Sequence, residues 1–144
     1  MSNSNLSPQL QEIIEMFAEA EPRDRVTMLL DFSEQLPDLP AELAAKRDDM
    51  EQVHECQSPV FLLTHKEDGR IYYDIDIPKE APTVRGFASI LYQGLNGATP
   101  EAIAATPIDL YSELGLDKVL SHQRLNGLTA LLSYMKRNAA RLAG

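Results

Sequence analysis

Cys56 is the sole cysteine among 144 residues, and its neighbours are of the kinds a reactive thiol would use. His54 stands two positions before it. On an extended strand both side chains would share one face, bringing an imidazole to the thiol and favouring the thiolate, the species that reacts. Gln57, Ser58 and Pro59 follow, a polar, turn-forming segment. Its amide and hydroxyl could donate hydrogen bonds to a sulfur anion, or simply shape the turn. A cysteine used as a small core hydrophobe would be expected inside the apolar run Val60-Phe61-Leu62-Leu63, not before it. The chemistry open to Cys56 is nucleophilic, for example hydrolysis through a Cys–His pair that would need His54 or His122 close by. A helical adaptor with a structural cysteine stands as the non-chemical alternative. His54, His65, His122 and Cys56 have no paired ligand spacing such as CxxC or HExxH, so no metal site is expected, and no glycine pattern of a phosphate-binding loop is present.

The elements that must position this loop are legible from periodicity. Residues 52–55, 60–64 and 70–77 read as three strands, with the turn Lys66-Glu67-Asp68-Gly69 between the second and third. Ile71, Tyr73, Ile75 and Ile77 alternate with Tyr72, Asp74 and Asp76, which predicts one covered face and one wetter face. Phe61 and Leu63 are expected in the core, or as walls of a pocket sheltering the sulfur. Before the strands, Ser7-Pro8 starts a helix with Leu10, Ile13, Ile14 and Phe17 on one side. A second helix from Pro22 carries Val26, Leu29, Leu30 and Phe32 as far as Leu36-Pro37, and further helical turns fit residues 41–47. After the strands, Val84, Phe87, Leu91 and Leu95 make a stripe closed by Asn96-Gly97. Gly86, inside that helix, suggests close approach to another backbone. Thr99-Pro100 and Thr106-Pro107 each read as a cap followed by proline. Ser121 caps a final helix lined by Leu125, Leu128, Leu131, Leu132, Met135, Ala139 and Leu142, with Lys136, Arg137 and Arg141 suiting its dipole.

Composition narrows the partners. A formal net charge of -9 argues against phosphate backbones, which are bound by Lys and Arg. It favours solubility and protein partners offering a basic patch. No apolar run approaches the roughly 20 residues of a membrane span. Met1-Ser2-Asn3-Ser4-Asn5 lacks the basic and apolar pattern of a secretion signal, so a reducing, cytoplasmic setting is expected for a lone thiol.

Three segments carry a resemblance. Val53-His54-Glu55-Cys56-Gln57-Ser58-Pro59-Val60-Phe61 resembles the Val-x-Gly-Cys-Gln-Ser-x-Val-aromatic motif of the SufE family. Ala81-Pro82-Thr83-Val84-Arg85-Gly86 is similar to its Ala-Pro-x-Val-Arg-Gly segment. Leu120-Ser121-His122-Gln123-Arg124-Leu125-Asn126-Gly127-Leu128 is similar to its Leu-Ser-x-x-Arg-x-Asn-Gly-Leu signature. Two departures stand out: Glu55 occupies the usual glycine position, and Pro78-Lys79-Glu80 replaces the usual Asp-Ser-Asp.

The resemblance implies a single α+β domain over residues 1–144, a small three-stranded antiparallel sheet with helices packed on one face, as in SufE and IscU. It implies a sulfur acceptor that takes persulfide sulfur onto Cys56 from a SufS-like cysteine desulfurase, stimulates that enzyme, and delivers the sulfur to an iron–sulfur scaffold of SufBCD type. Pyridoxal phosphate would belong to the desulfurase, with no cofactor here. The protein would be an accessory to that enzyme, as a monomer or weak homodimer. Gln57 and Ser58 would support the loop. His54, Arg85 and Arg124 are candidates for supporting or partner contacts, the two arginines being expected mainly to pair with carboxylates inside the fold. Gly86 and Gly127 are expected as packing contacts. Glu55, a carboxylate beside the thiol, would disfavour the thiolate.

Overall fold

Ser7 opens the first helix of the computed structural model, which describes residues 5–143. The reading of the first residues as lacking a secretion signal falls mainly on residues 1–4, outside the described residues. The Ser7 hydroxyl accepts from the Leu10 amide at 3.1 Å and donates to the Gly94 carbonyl at 2.5 Å, so one side chain both caps α1 (Pro8–Glu19) and ties it to α4 (Pro82–Leu95). Leu10, Ile13, Ile14 and Phe17 are all buried, as their spacing requires.

Helix α2 (Pro22–Ser33) lies against α4 at Gly86, where an added Cβ would stand 2.2 Å from the Leu29 carbonyl oxygen. The absent side chain is what lets the two backbones meet. That contact centres the buried face on Leu29 and Phe32 and turns Val26 and Leu30 outward, at 37% and 41% exposure, against the expectation that all four are core. A short α3 (Ala41–Ala44) and a 3-10 turn (Arg47–Asp49) lead into the sheet.

The sheet is the expected three-stranded antiparallel one, with strand order β1-β2-β3. β1 is only Glu51–Gln52, paired with β2 (Phe61–Glu67), which pairs in turn with β3 (Arg70–Asp76). Leu62, Ile71, Tyr73 and Ile75 share the buried face, and Tyr73 donates its hydroxyl to the Met135 carbonyl of α7 (His122–Ala143) at 2.9 Å. Phe61 and Leu63 point to the other face. There Phe61 lies opposite Asp76, and Arg47 pairs with Asp76 at 2.7 Å while standing 5.8 Å from the Phe61 ring centroid. Neither residue is core, a correction that follows from the period of two: with Leu62 buried, its neighbours must face out.

Gly97, at φ +82°, closes α4, and the Asn96 side chain accepts the Tyr73 amide at 2.8 Å, covering the β3 edge. Thr99 caps α5 (Pro100–Ala104) as read. Thr106 does not cap: its hydroxyl donates back to the Ala102 carbonyl at 3.1 Å, and α6 begins only at Leu110 (Leu110–Glu113). Gly115, at φ +72°, ends that segment. The 22-residue α7 then packs across α4, α5, α6 and β2, and its predicted apolar face is buried through Ala139. Leu142, in the last turn, is 37% exposed, and the Lys66 ammonium of β2 donates to its carbonyl at 3.3 Å. The buried apolar side chains form one connected cluster.

Candidate functional site

Residues 54–59 form a loop whose two ends are held. Val53 and Val60 are 1% and 0% exposed, and the Val53 amide donates to the Val60 carbonyl at 2.9 Å, carrying the β1–β2 ladder one step beyond the strands. Beyond Val53 the chain turns, the Cys56 amide closing back onto the Val53 carbonyl, so the extended geometry expected for residues 52–55 is lost. His54 sits exposed in the turn. It does not line the cavity around Cys56, and neither does His122, which leaves the hydrolase reading without its base.

Cys56 is half-buried. Its amide donates to the Val53 carbonyl at 3.3 Å, and its thiol donates to the Gly127 carbonyl of α7 at 3.3 Å. A Cβ at Gly127 would lie 3.5 Å from the sulfur, so this glycine forms the floor under the thiol rather than an anonymous packing contact. The sulfur faces an open cavity of about 290 Å³. Gln57 and Ser58 line one side, Glu80, Pro82 and Thr83 the start of α4, and Arg124 the start of α7. The three segments singled out in the sequence thus converge on one cavity.

Arg124 is exposed and its guanidinium donates to the Thr83 hydroxyl at 2.9 Å, bridging two walls of the cavity. It lines the cavity that Cys56 faces and, among the described residues, has no carboxylate partner, contrary to expectation. Arg85 has none there either. Buried at 7% exposure, it donates to the carbonyls of Ser33 at 3.2 Å, Ile77 at 2.6 Å and Leu36 at 3.2 Å. It borders a separate cavity with Leu30, Ser33 and Asp38, and does not reach Cys56. Its place is the joint between α2, β3 and α4.

Burial, and next the Glu55 carboxylate, push the Cys56 thiol up from 9.0 to about 11. At neutral pH the sulfur carries its proton. Glu55 accepts from the Tyr134 hydroxyl at 2.9 Å, a bond that holds the phenol above its ordinary value. Tyr134 was missed by the sequence reading; its position seven residues after Gly127, on the same side of α7, is the signal that could have found it. Among the described residues, no group of three His, Cys, Asp or Glu side chains could hold a metal ion, and no helix is long and apolar enough to cross a membrane.

Comparison with known proteins agrees with the geometry. The family described as "SufE: Fe-S metabolism associated domain" matches residues 11–139. The chain belongs to the SufE family. An uncharacterised SufE-like protein of Mycobacterium tuberculosis is 44% identical over 135 residues, covering 93% of both chains. The sulfur acceptor protein CsdE of Escherichia coli is 36% identical over 110 residues, 75% of this chain and 71% of CsdE. The solution structure of a hypothetical protein from Thermus thermophilus superposes with a TM-score of 0.82 at 32% identity, covering 95% of this chain and 97% of that one. In this SufE-family chain, the family's cysteine motif is the loop, and its other two motifs are the loop's surroundings.

Proposed function

We propose that this chain is a sulfur acceptor and carrier working through Cys56. The observation that carries the reading is a lone, half-buried thiol at the mouth of an open cavity built by all three family motifs. The relative CsdE, named as a sulfur acceptor, supports it. In the proposed step, the Cys56 thiolate attacks the outer sulfur of a persulfide on a SufS-like cysteine desulfurase. The donor's S–S bond breaks, the donor cysteine leaves as thiolate, and Cys56 holds the sulfur as a persulfide. Pyridoxal phosphate acts within the desulfurase. A SufBCD-like iron–sulfur scaffold takes the sulfur next.

The residues here position and shelter. Gln57 and Ser58 shape the loop, Gly127 leaves room beneath the sulfur, and Arg124 offers a cation beside the cavity. With no second cysteine among the 144 residues, no internal thiol can resolve the persulfide into a disulfide. Because the resting thiol is protonated, little reaction occurs until the donor docks, which suits an accessory to an enzyme more than an independent one. We read residues 1–144 as one cytoplasmic domain, a monomer or weak homodimer.

The test is direct. Incubated with a SufS-type desulfurase and free cysteine, the chain should gain the mass of sulfur on Cys56 and accelerate sulfide release under reductant; Cys56→Ser should do neither. Stimulation retained in Cys56→Ser would remove the proposal.

A further inference from the structure

Glu55 stands where the family motif has glycine, and it is not idle. The Cys56 loop meets α7 at two places about two helical turns apart: the thiol on the Gly127 carbonyl, and the Glu55 carboxylate on the Tyr134 hydroxyl. Tyr134 is itself held. The Arg137 guanidinium carbon stands 4.5 Å from its ring centroid, and Arg137 pairs with Glu51 of β1 at 2.5 Å. The Glu51 carboxylate also accepts from the Asn138 amide at 2.8 Å. A continuous polar chain therefore runs from β1 across α7 and back to the residue before Cys56.

We propose that Glu55 is a positioning and specificity residue, pinning the Cys56 loop through Tyr134 and selecting sulfur donors that approach on a positively charged surface. The inference rests on reading Cys56 as the sulfur acceptor. The charged groups around the thiol are Glu55 on its own loop, Glu80 ahead of α4 and Arg124 on α7. Arg124 is occupied with Thr83, and the whole chain carries a formal charge of -9. A Lys or Arg arriving at the exposed Glu55 does two things at once. A full positive charge is drawn to the carboxylate more strongly than the dipole of a neutral hydroxyl, so the cation competes with Tyr134 and loosens the loop. It also screens the carboxylate that disfavours the thiolate. An anionic donor achieves neither.

Small reagents test this on the full chain without any desulfurase. Rates of Cys56 modification are measured with neutral iodoacetamide, with dicationic cystamine and with dianionic Ellman's reagent. Circular dichroism and melting first establish that the variants fold; both side chains lie at the surface of the loop contact. Glu55→Gln should lower the cystamine-to-Ellman rate ratio by about five- to tenfold, the effect of one nearby surface charge on a dication. Tyr134→Phe, which keeps the charge and removes the tether, should leave that ratio unchanged and raise the iodoacetamide rate by about two- to fivefold, the release of one hydrogen bond of modest net strength. Glu80→Gln should move the ratio less than Glu55→Gln. A ratio indifferent to Glu55→Gln, an equal shift in Glu80→Gln, or an iodoacetamide rate indifferent to Tyr134→Phe overturns the proposal. Failure of sulfur loading from a desulfurase, with the reagent pattern as expected, would count against the acceptor reading alone.

Discussion

Replacing Arg85 with methionine removes three hydrogen bonds from one buried point while keeping most of the side-chain volume. The guanidinium spans the carbonyls of Ser33, Leu36 and Ile77, the ends of α2 and β3 and the turn between α2 and α3. A hydrogen bond to a charged group contributes about 1.5–3 kcal/mol, so a naive sum would be large. The sum overshoots, because removing the arginine also removes the cost of burying its charge. What remains is three carbonyls without donors, at the low end of about 1 kcal/mol each, for a net loss of ~3 kcal/mol. For a chain of this size, ~3 kcal/mol corresponds to a fall in melting temperature on the order of 10 °C. Arg85→Lys should recover only part of this, since one ammonium cannot reach three divergent carbonyls. Urea titration at unchanged m-value measures the loss, and iodoacetamide modification of the folded variant should proceed as in the parent. A loss under about 1 kcal/mol would refute the joint role; slowed Cys56 chemistry in a fully folded Arg85→Met would return Arg85 to the sulfur site.

Cys56 alkylation should climb about tenfold per pH unit from pH 7.5 to 10 and level off only near pH 11, where free cysteine levels off earlier. The same raised thiol has a stability consequence of definite sign. The folded state holds a proton that the unfolded chain releases near pH 9.0, so this contribution is complete below pH 9.0 and is lost as pH rises toward about 11; Cys56→Ser should flatten that decline in denaturant titrations. The two motif glycines should part company. Gly86→Ala would drive a Cβ to 2.2 Å from a backbone oxygen and should cost about 2 kcal/mol or more, whereas Gly127→Ala meets the sulfur at an ordinary 3.5 Å and should be neutral or up to ~1 kcal/mol stabilising, both read by thermal melting.

The alternation of Ile71, Tyr73, Ile75 and Ile77 and the caps at Ser7, Thr99 and Ser121 were legible because they depend on neighbours within a few positions. The Cys56 loop was legible as a break between apolar segments. What local pattern could not supply was the partner across the fold. A period of two placed His54 beside Cys56 on paper, but the turn that brings the Cys56 amide to the Val53 carbonyl ended the strand first. Arg85 looked like half of an ion pair because a buried guanidinium needs acceptors; that these are carbonyls depends on three chain ends meeting at one point. Gly127 announced a close approach without saying to what. Val26 and Leu30 fit a helical stripe, yet the Gly86 contact narrowed the face that α4 could cover.

The bond from the Cys56 sulfur to the Gly127 carbonyl exists only while the sulfur keeps its proton. Once that proton leaves, an anion faces the negative end of a carbonyl dipole at the same 3.3 Å, and attraction turns to repulsion. Arming the nucleophile and unfastening it from the helix are therefore a single event. Deprotonation thus releases the sulfur from α7 but leaves the Glu55–Tyr134 tether of the same loop in place, so the loop has two fastenings of different chemistry, and a change of proton undoes only one.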